Sequence, residues 1–226
     1  MATPMSQPST KPSKLIYILG GPGVGKGSLS VPLANQFTNV YHLSVGDHLR
    51  DLLAQDNSQS TSQSLGGLDH ETFSTRMQQR ELLPTETIVS IVDAALKSIY
   101  DTASASKISK PIILVDGFPR SRESAVLADA RWGAPHLVLL FHCPRELAEA
   151  RFLKRERSAD DSAEVFRKRY DEFERLNGEI VDMYRATLIR VDTETLPWES
   201  WDRLHDKVGQ LMKDLGGVKS GISHET

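Results

Sequence analysis

Residues 15–30 read LIYILGGPGVGKGSLS, and this stretch decides which fold the rest of the chain is expected to form. The apolar run Leu15–Leu19 predicts a buried strand, and the glycines after it disfavour a regular helix or strand. Gly20, Gly25 and Lys26 occupy the fixed places of the phosphate-loop pattern G-x-x-x-x-G-K. Glycines let backbone N–H groups turn towards phosphate oxygens, and the lysine and the following helix N-terminus supply positive charge. An ordinary glycine-rich turn is the alternative, but it does not require a strand, a lysine and a helix in this order.

The composition indicates a globular protein without a strong charge preference for its partners. Its 226 residues carry a formal net charge of -3, which gives no general attraction to nucleic acids or anionic membranes. Cys143 is the single cysteine and cannot form an internal disulfide bond, which favours a reducing compartment. No apolar run is long enough to span a membrane. Residues 1–14 and 216–226 are predicted to be disordered tails, and the first lacks the features of a secretory signal. These features favour the cytoplasm as the expected location; the nucleus is a second expectation, for which the composition gives no separate signal.

Apolar runs alternate with amphipathic stretches along the rest of the chain. Four more strands are predicted, at 40–44, 112–116, 137–141 and 187–191. Helices are predicted between the strands, among them one that begins at Ser28, one capped by Asp47 and a long one capped by Thr85. This alternation predicts an α/β fold, in which a parallel five-stranded sheet lies between two layers of helices.

A second motif, Asp116-Gly117-Phe118-Pro119-Arg120, follows the predicted strand at 112–116. In parallel sheets flanked by helices, ligands bind at the carboxyl ends of the strands. The phosphate loop also follows a strand, so the two motifs are expected to face one cleft. A turn cap for the aspartate and a surface position for the arginine are the non-functional alternatives.

With both motifs in place, the chain resembles the nucleoside monophosphate kinases of the adenylate kinase and UMP/CMP kinase family, in their short-lid form. Five stretches carry the resemblance: GGPGVGKGS at 20–28, HLSVGDHLR at 42–50, ELLPTETI at 81–88, ILVDGFPRS at 113–121, and KRERSADD at 154–161 with RKRY at 167–170. The resemblance runs from about residue 15 to residue 208. It implies a P-loop kinase fold in a single domain, 15–215. A small helical insertion at about 44–84 would bind the monophosphate, and a short lid would span about 155–162.

The resemblance implies a reaction in which MgATP donates its terminal phosphate to a nucleoside monophosphate. UMP and CMP are the favoured acceptors, which would place the protein in pyrimidine biosynthesis, and the family suggests a monomer. Phosphoryl transfer needs positioned substrates, excluded water and fixed positive charge more than it needs a catalytic base. Arginine and lysine side chains are therefore the expected catalytic groups.

The family's functional residues carry over to matching positions of this sequence. ATP would be bound by Gly21, Gly23, Val24, Gly25, Lys26, Gly27, Ser28, Arg155 and Thr195. The monophosphate would be bound by Val45, Arg50, Glu81, Leu82, Leu83, Gly117, Phe118, Pro119, Arg120, Ser124, Arg157 and Arg169. The implied catalytic residues are Lys26, Arg120, Arg155, Arg157 and Arg169, with Arg167 as a further arginine that would reach the phosphoryl group. Asp116 would orient waters on the Mg²⁺ that accompanies ATP, and no residue would ligate the metal directly.

Base selection is the part of the resemblance that this sequence departs from most. Val45 is aliphatic, as in the UMP/CMP branch, where alanine is usual. Ser124 replaces the asparagine or glutamine that the family uses to pair with the base, and serine cannot offer an amide's donor and acceptor together. Arg80 replaces a glycine near the base pocket. The lid is about three residues shorter than in relatives, which moves Arg157 one place out of register.

Three other functions remain as alternatives. AMP could be the acceptor, or the fold could bind nucleotides without catalysing transfer. A nucleic-acid-binding ATPase is disfavoured, because residues 145–175 contain nine basic and nine acidic side chains rather than a basic surplus. A metal site at His42 and His48 is also disfavoured, since no further histidine or cysteine accompanies them.

Overall fold

The computed structural model describes residues 14–54, 65–155, 162–195 and 197–218. Within these residues, five parallel strands form one sheet in the order β2-β3-β1-β4-β5. The strands are β1 (Lys14–Leu19), β2 (Val40–Ser44), β3 (Ile112–Asp116), β4 (Leu137–His142) and β5 (Leu188–Asp192). The helices are α1 (Lys26–Asn35), α2 (Val45–Ala54), α3 (His70–Gln79), α4 (Thr85–Ala105), α5 (Arg122–Trp132), α6 (Arg145–Lys154), α7 (Ala163–Met183) and α8 (Pro197–Asp214). The predicted α/β class and the five predicted strands are confirmed.

Strand β1 occupies the centre of the sheet because its side chains are apolar on both faces. It pairs with β3 on one side, where Ile18 lies opposite Asp116, and with β4 on the other, where Leu19 lies opposite Leu140. Continuous apolar runs are typical of parallel strands covered by helices on both faces. This pairing brings the phosphate loop after β1 and the Asp116 motif after β3 to the same edge of the sheet.

Two hydrophobic clusters, one on each face of the sheet, form the core. The first includes Tyr17 and packs the sheet against α2, α3, α4, α5 and the carboxyl-terminal part of α7. The second includes Ile16 and Ile18 and packs the sheet against α1, α6, α8 and the amino-terminal part of α7. Because α7 contributes to both clusters, one continuous helix links the two faces at the cleft edge.

Three predicted helix starts are wrong. Helix α1 begins at Lys26 rather than Ser28, directly after Gly25, which has a φ of 89°. Helix α2 begins at Val45, so Asp47 lies in its first turn; the Asp47 N–H instead donates to the Ser44 hydroxyl at 3.3 Å. Thr85 is the first residue of α4, and the residue before it is Pro84, whose side chain makes no capping hydrogen bond. In each case the helix begins one or more residues earlier than predicted.

The two predicted insertions are described to different extents. Helices α2 and α3 lie within 44–84, with residues 55–64 outside the described part of the chain. Most of the predicted lid, including Arg157, also lies outside it, as do residues 1–13 and 219–226. Among the residues that are described, no helix combines the length and the apolar character needed to cross a bilayer.

Candidate active site

A cleft of about 780 Å³ opens at the carboxyl edge of the sheet, where the two sequence motifs meet. Most of the predicted site residues line this cleft. They are Gly23, Gly25, Lys26, Gly27, Ser28, Val45, Arg50, Glu81, Leu82, Leu83, Asp116, Gly117, Phe118, Pro119, Arg120, Ser124, Arg155, Arg169 and Thr195. Gly21 and Val24 belong to the loop itself but lie buried behind its inner surface.

The phosphate loop is held against its neighbours by glycine. Gly23 has a φ of +80°, and a Cβ atom there would lie 2.0 Å from the carbonyl oxygen of Ala148 in α6. No other residue type could therefore occupy this position without moving the loop or the helix. The close contact fixes the loop against α6.

Lys26 lies inside the loop, and its ammonium group bonds to the loop's own backbone. Its Nζ donates to the carbonyl oxygens of Gly20 at 2.7 Å and Gly21 at 2.8 Å. Burial lowers the pKa of Lys26 to about 8, and the carboxylate of Asp116 opposes this shift while nearby arginines add to it. A lysine with a lowered pKa in a cleft is a candidate functional group.

Two arginines that line the cleft, Arg50 and Arg120, converge beside Gly46. A Cβ atom built on Gly46 would lie 3.7 Å from Arg50 Nη1 and 4.0 Å from Arg120 Nη2. Arg120 Nε donates to the Gly117 carbonyl at 3.1 Å, and Arg50 pairs with Asp47. Guanidinium groups bind phosphate oxygens in a bidentate manner. The convergence therefore offers a second phosphate-binding position, separate from the loop.

Asp116 ends β3 between these two phosphate positions. It is 7% exposed, and its Oδ2 lies 3.4 Å from Nε2 of His42 on the neighbouring strand β2. Burial lowers the pKa of Arg120, and the carboxylates of Glu172 and Asp116, which also line the cleft, oppose that shift. Negative charge is thus present in the cleft but outnumbered by positive charge.

Two of the predicted catalytic arginines make cation–π contacts with the same aromatic ring. The guanidinium carbon of Arg155, at the end of α6, lies 4.1 Å from the centroid of Phe152, and that of Arg169 in α7 lies 5.9 Å from it. Phe152 is fully buried, so its ring is surrounded by close-packed neighbours. The ring therefore holds both cations at the mouth of the cleft through cation–π contacts. Arg167, by contrast, lies 3.7 Å from Glu149 and does not line the cleft.

Arg151 lines the cleft and was not among the predicted residues. Its guanidinium donates to the carbonyl oxygens of Thr193 at 2.7 Å and Thr195 at 3.0 Å. The Thr193 hydroxyl donates in turn to the Val24 carbonyl at 2.8 Å. These bonds tie the segment after β5 to α6 and to the phosphate loop. A contact between residues 42 positions apart leaves no local signal in a sequence, so spacing could not have identified it.

Ser124 lines the cleft as predicted, but its hydroxyl is used within the protein. It accepts from the Ser121 N–H at 3.2 Å and donates to the Ser121 carbonyl at 2.8 Å, forming a capping box at the start of α5. Ser124 is 3% exposed. This hydroxyl therefore has no spare donor for a ligand.

Arg80 also lines the cleft, at the end of α3. Its φ is 58° and its ψ is 33°, in the left-handed region that glycine adopts most easily. This conformation gives a physical reason why the resemblance leads one to expect glycine here.

Cys143 lies behind the cleft, at the end of β4. It is 7% exposed, and burial raises the pKa of its thiol, with Thr193 and Arg151 opposing that shift. Among the residues that the structure describes, no group of three or more His, Cys, Asp or Glu side chains forms a metal-binding cluster.

The chain is similar to known proteins over most of its length. The family model described as adenylate kinase matches residues 18–189. The chain is 34% identical over 180 residues to UMP-CMP kinase 2 of Oryza sativa subsp. japonica, a match that covers 79% of this chain and 65% of that protein. It is 29% identical over 211 residues to UMP-CMP kinase of Gallus gallus, covering 89% of this chain and 98% of the relative. Adenylate kinase isoenzyme 1 of Sus scrofa is 28% identical over 189 residues, covering 81% and 88%.

Proposed function

The chain belongs to the adenylate kinase family and is a nucleoside monophosphate kinase, and from this premise we propose that its preferred acceptors are UMP and CMP. The observation that carries the pyrimidine preference is the aliphatic side chain of Val45. It is 2% exposed and lines the cleft. Similarity to proteins named UMP-CMP kinase, from rice and chicken, supports the same choice.

The phosphate loop and the pair of arginines suggest how the substrates divide the cleft. ATP would lie with its phosphates in the loop around Lys26, and the acceptor phosphate would lie between Arg50 and Arg120. The backbone N–H groups of a phosphate loop and the N-terminus of the helix after it attract anions without any side chain. Two nucleotides placed end to end would bring the acceptor oxygen close to the terminal phosphate of ATP.

Mg²⁺ would enter with ATP rather than occupy a site made by the protein alone. Mg²⁺ keeps several waters and commonly binds through one or two protein oxygens together with substrate phosphates. The residues present fit this pattern, because Asp116 is a carboxylate that lines the cleft and Ser28 adds a hydroxyl in the first turn of α1. When bound with ATP, the ion would neutralise part of the negative charge of the phosphates.

Transfer itself would depend on the positive charges that the chain places around the moving phosphoryl group. Lys26, Arg120, Arg155 and Arg169 line the same cleft from four different elements. They would stabilise the negative charge that develops on the equatorial oxygens. The Phe152 ring keeps two of these arginines in position before substrate arrives, so little reorganisation is needed at the moment of reaction.

A panel of acceptors tests the proposal. Purified protein is supplied with MgATP and UMP, CMP, dCMP or AMP in turn, and nucleoside diphosphate formation gives kcat/KM for each acceptor. We expect the highest values for UMP and CMP. The control is Lys26→Met, which should lower kcat by about 10²-fold or more, the scale for loss of one preorganised electrostatic contact.

Two outcomes would contradict the proposal in different ways. A highest kcat/KM for AMP would assign the chain adenylate kinase activity, the function named for its pig relative. If the folded protein forms no nucleoside diphosphate from any of the four acceptors, the chain does not catalyse the proposed transfer.

A further inference from the structure

We infer that Asn177 reads the base of the acceptor nucleotide, in place of the residue at position 124. The inference rests on the proposed function, since it concerns the acceptor end of the same cleft. The first observation is that the Ser124 hydroxyl is already hydrogen-bonded within the protein. Both its donor and its acceptor bonds go to Ser121, so recognition of a base edge must come from another side chain.

Asn177 lies on α7 and lines the same cleft. Its side chain is half-buried. None of the hydrogen bonds among the described residues uses its carboxamide, whereas the other amide lining the cleft, Gln78, donates to Ser74 at 3.2 Å. A half-buried carboxamide that makes no hydrogen bond to the described residues has both its donor and its acceptor available to a ligand.

The position of Asn177 relative to Ser124 follows from one hydrogen bond. Tyr184, which directly follows α7, donates from its hydroxyl to Asp129 Oδ1 of α5 at 2.8 Å. Both helices lead from the cleft edge of the sheet back into a parallel strand, so they run in the same direction. Ser124 comes five residues before Asp129, and Asn177 seven residues before Tyr184. A helix rises about 1.5 Å per residue, so Ser124 and Asn177 each lie roughly 8 to 10 Å from this hydrogen bond along their helix axes, in the direction of the cleft.

The direction of the Asn177 side chain follows from the helical repeat. Seven residues make almost two full turns, so Asn177 lies on the same face of α7 as Tyr184, the face towards α5. Ile180, which lies between them and is 2% exposed, belongs to the core on that side and also lines the cleft. Asn177 is thus placed beside the amino end of α5, where the resemblance puts the base-reading residue.

A carboxamide has the chemistry that this position needs. Uracil presents an N–H donor beside a carbonyl acceptor, and cytosine presents an acceptor beside an amino donor. The Asn177 amide can match either order by rotating about its last bond, because it carries one acceptor oxygen and one donor NH₂. One side chain would therefore accept both pyrimidines.

The experiment compares ligands with and without a base. Binding of UMP, CMP, AMP and ribose 5-phosphate to the wild-type protein and to Asn177→Ala is measured by calorimetry, and KM is measured for ATP and for the best monophosphate. The variant should bind that monophosphate about tenfold more weakly, the effect of losing one or two hydrogen bonds. Ribose 5-phosphate affinity and the KM for ATP should stay within twofold of wild type. The matched variant Ser124→Ala should lower the melting temperature through loss of the capping box, but should keep monophosphate affinity within twofold.

Unchanged monophosphate binding by Asn177→Ala would overturn the inference, and so would an equal loss for ribose 5-phosphate, which would indicate a general structural defect. The two proposals fail separately. A wild-type protein that binds UMP but forms no UDP defeats the proposed function alone, whereas a wild-type kinase that is unaffected by Asn177→Ala defeats the inference alone.

Discussion

At the scale of single residues, Lys26 shows how burial and function oppose one another. Its charge suits the phosphates of ATP, yet in the free protein that charge is held among arginines and away from water, and its pKa falls to about 8. A lysine in the unfolded chain titrates near 10.5. Between these two values the unfolded chain binds more protons than the native protein.

The pH dependence follows from this difference. The charged form of Lys26 destabilises the free protein below pH 8, and this cost is relieved as the pH rises from about 8 towards 10.5. We expect wild type to gain stability over this range relative to Lys26→Met, measured by denaturant unfolding at several pH values. ATP affinity should change in the opposite sense, falling as the pH rises above about 8. Parallel stability curves for the two proteins would contradict the assignment.

Arg80 gives a second prediction for a single residue. A side chain in the left-handed conformation costs about 1 kcal/mol that glycine does not incur, so Arg80→Gly should raise the free energy of unfolding relative to Arg80→Ala by about that amount. The alanine variant removes the same side-chain contacts and keeps the unfavourable backbone conformation, so the comparison isolates the backbone. Equal stabilities of the two variants, measured by urea unfolding, would show that the backbone relaxes.

At the scale of elements, the chain combines parts that a sequence reveals with parts that it does not. Strand β1, the phosphate loop and the Asp116 motif were predictable because each is a local pattern of apolar residues, glycine and charge. The starts of α2 and α4 were not, because Ser44 and Pro84 precede the helices and the better-known cap residues, Asp47 and Thr85, lie inside them. The hydrogen bonds of Arg151 and the contacts of two arginines with the Phe152 ring depend on how α6 packs against other elements. The spacing of residues along the chain does not reveal this packing.

The contact between α6 and α7 yields a prediction about catalysis. Phe152→Leu removes the ring beneath Arg155 and Arg169 and should lower kcat by about two- to fivefold beyond any loss of stability, as expected for exposed cation–π contacts. The control is Phe166→Leu. Its ring centroid lies 5.5 Å from that of Phe152 in the same fully buried cluster, and none of the described arginines stacks on it. Both variants should melt earlier; a kcat that falls equally in both would indicate that packing alone is responsible.

At the scale of the whole molecule, the two edges of the sheet have different tasks. The carboxyl edge carries the cleft, whereas the amino edge is held by Asn39, which is 6% exposed. Its side-chain amide donates to the carbonyl oxygens of Gly216 at 2.8 Å and Lys110 at 3.3 Å, and its oxygen accepts from the Val218 N–H at 2.8 Å. One side chain thus joins the segment after α8 to the start of β2 and to the residues before β3.

This separation predicts that stability can be changed without changing the chemistry. Asn39→Ala should lower the free energy of unfolding by about 2 to 3 kcal/mol, because it leaves several buried backbone groups without partners. The kinetic constants should stay within twofold of wild type below the melting transition. Thr38→Ala, which removes an exposed 3.3 Å bond from the Thr38 hydroxyl to the Val218 carbonyl, is the matched control and should cost far less. A large rise in the KM for ATP in Asn39→Ala would show that the two edges are coupled.

Because Cys143 is buried, the reactivity of its thiol can be used to measure local opening of the structure. A lone thiol closed off beside Thr193 and Arg151 can react with an alkylating reagent only when the end of β4 separates from the segment after β5. The rate of labelling would therefore report how often these openings occur in the wild-type protein. Because the same segment borders the phosphate loop, ATP should slow the reaction, and the ratio of the two rates would measure how firmly the nucleotide closes that side of the molecule.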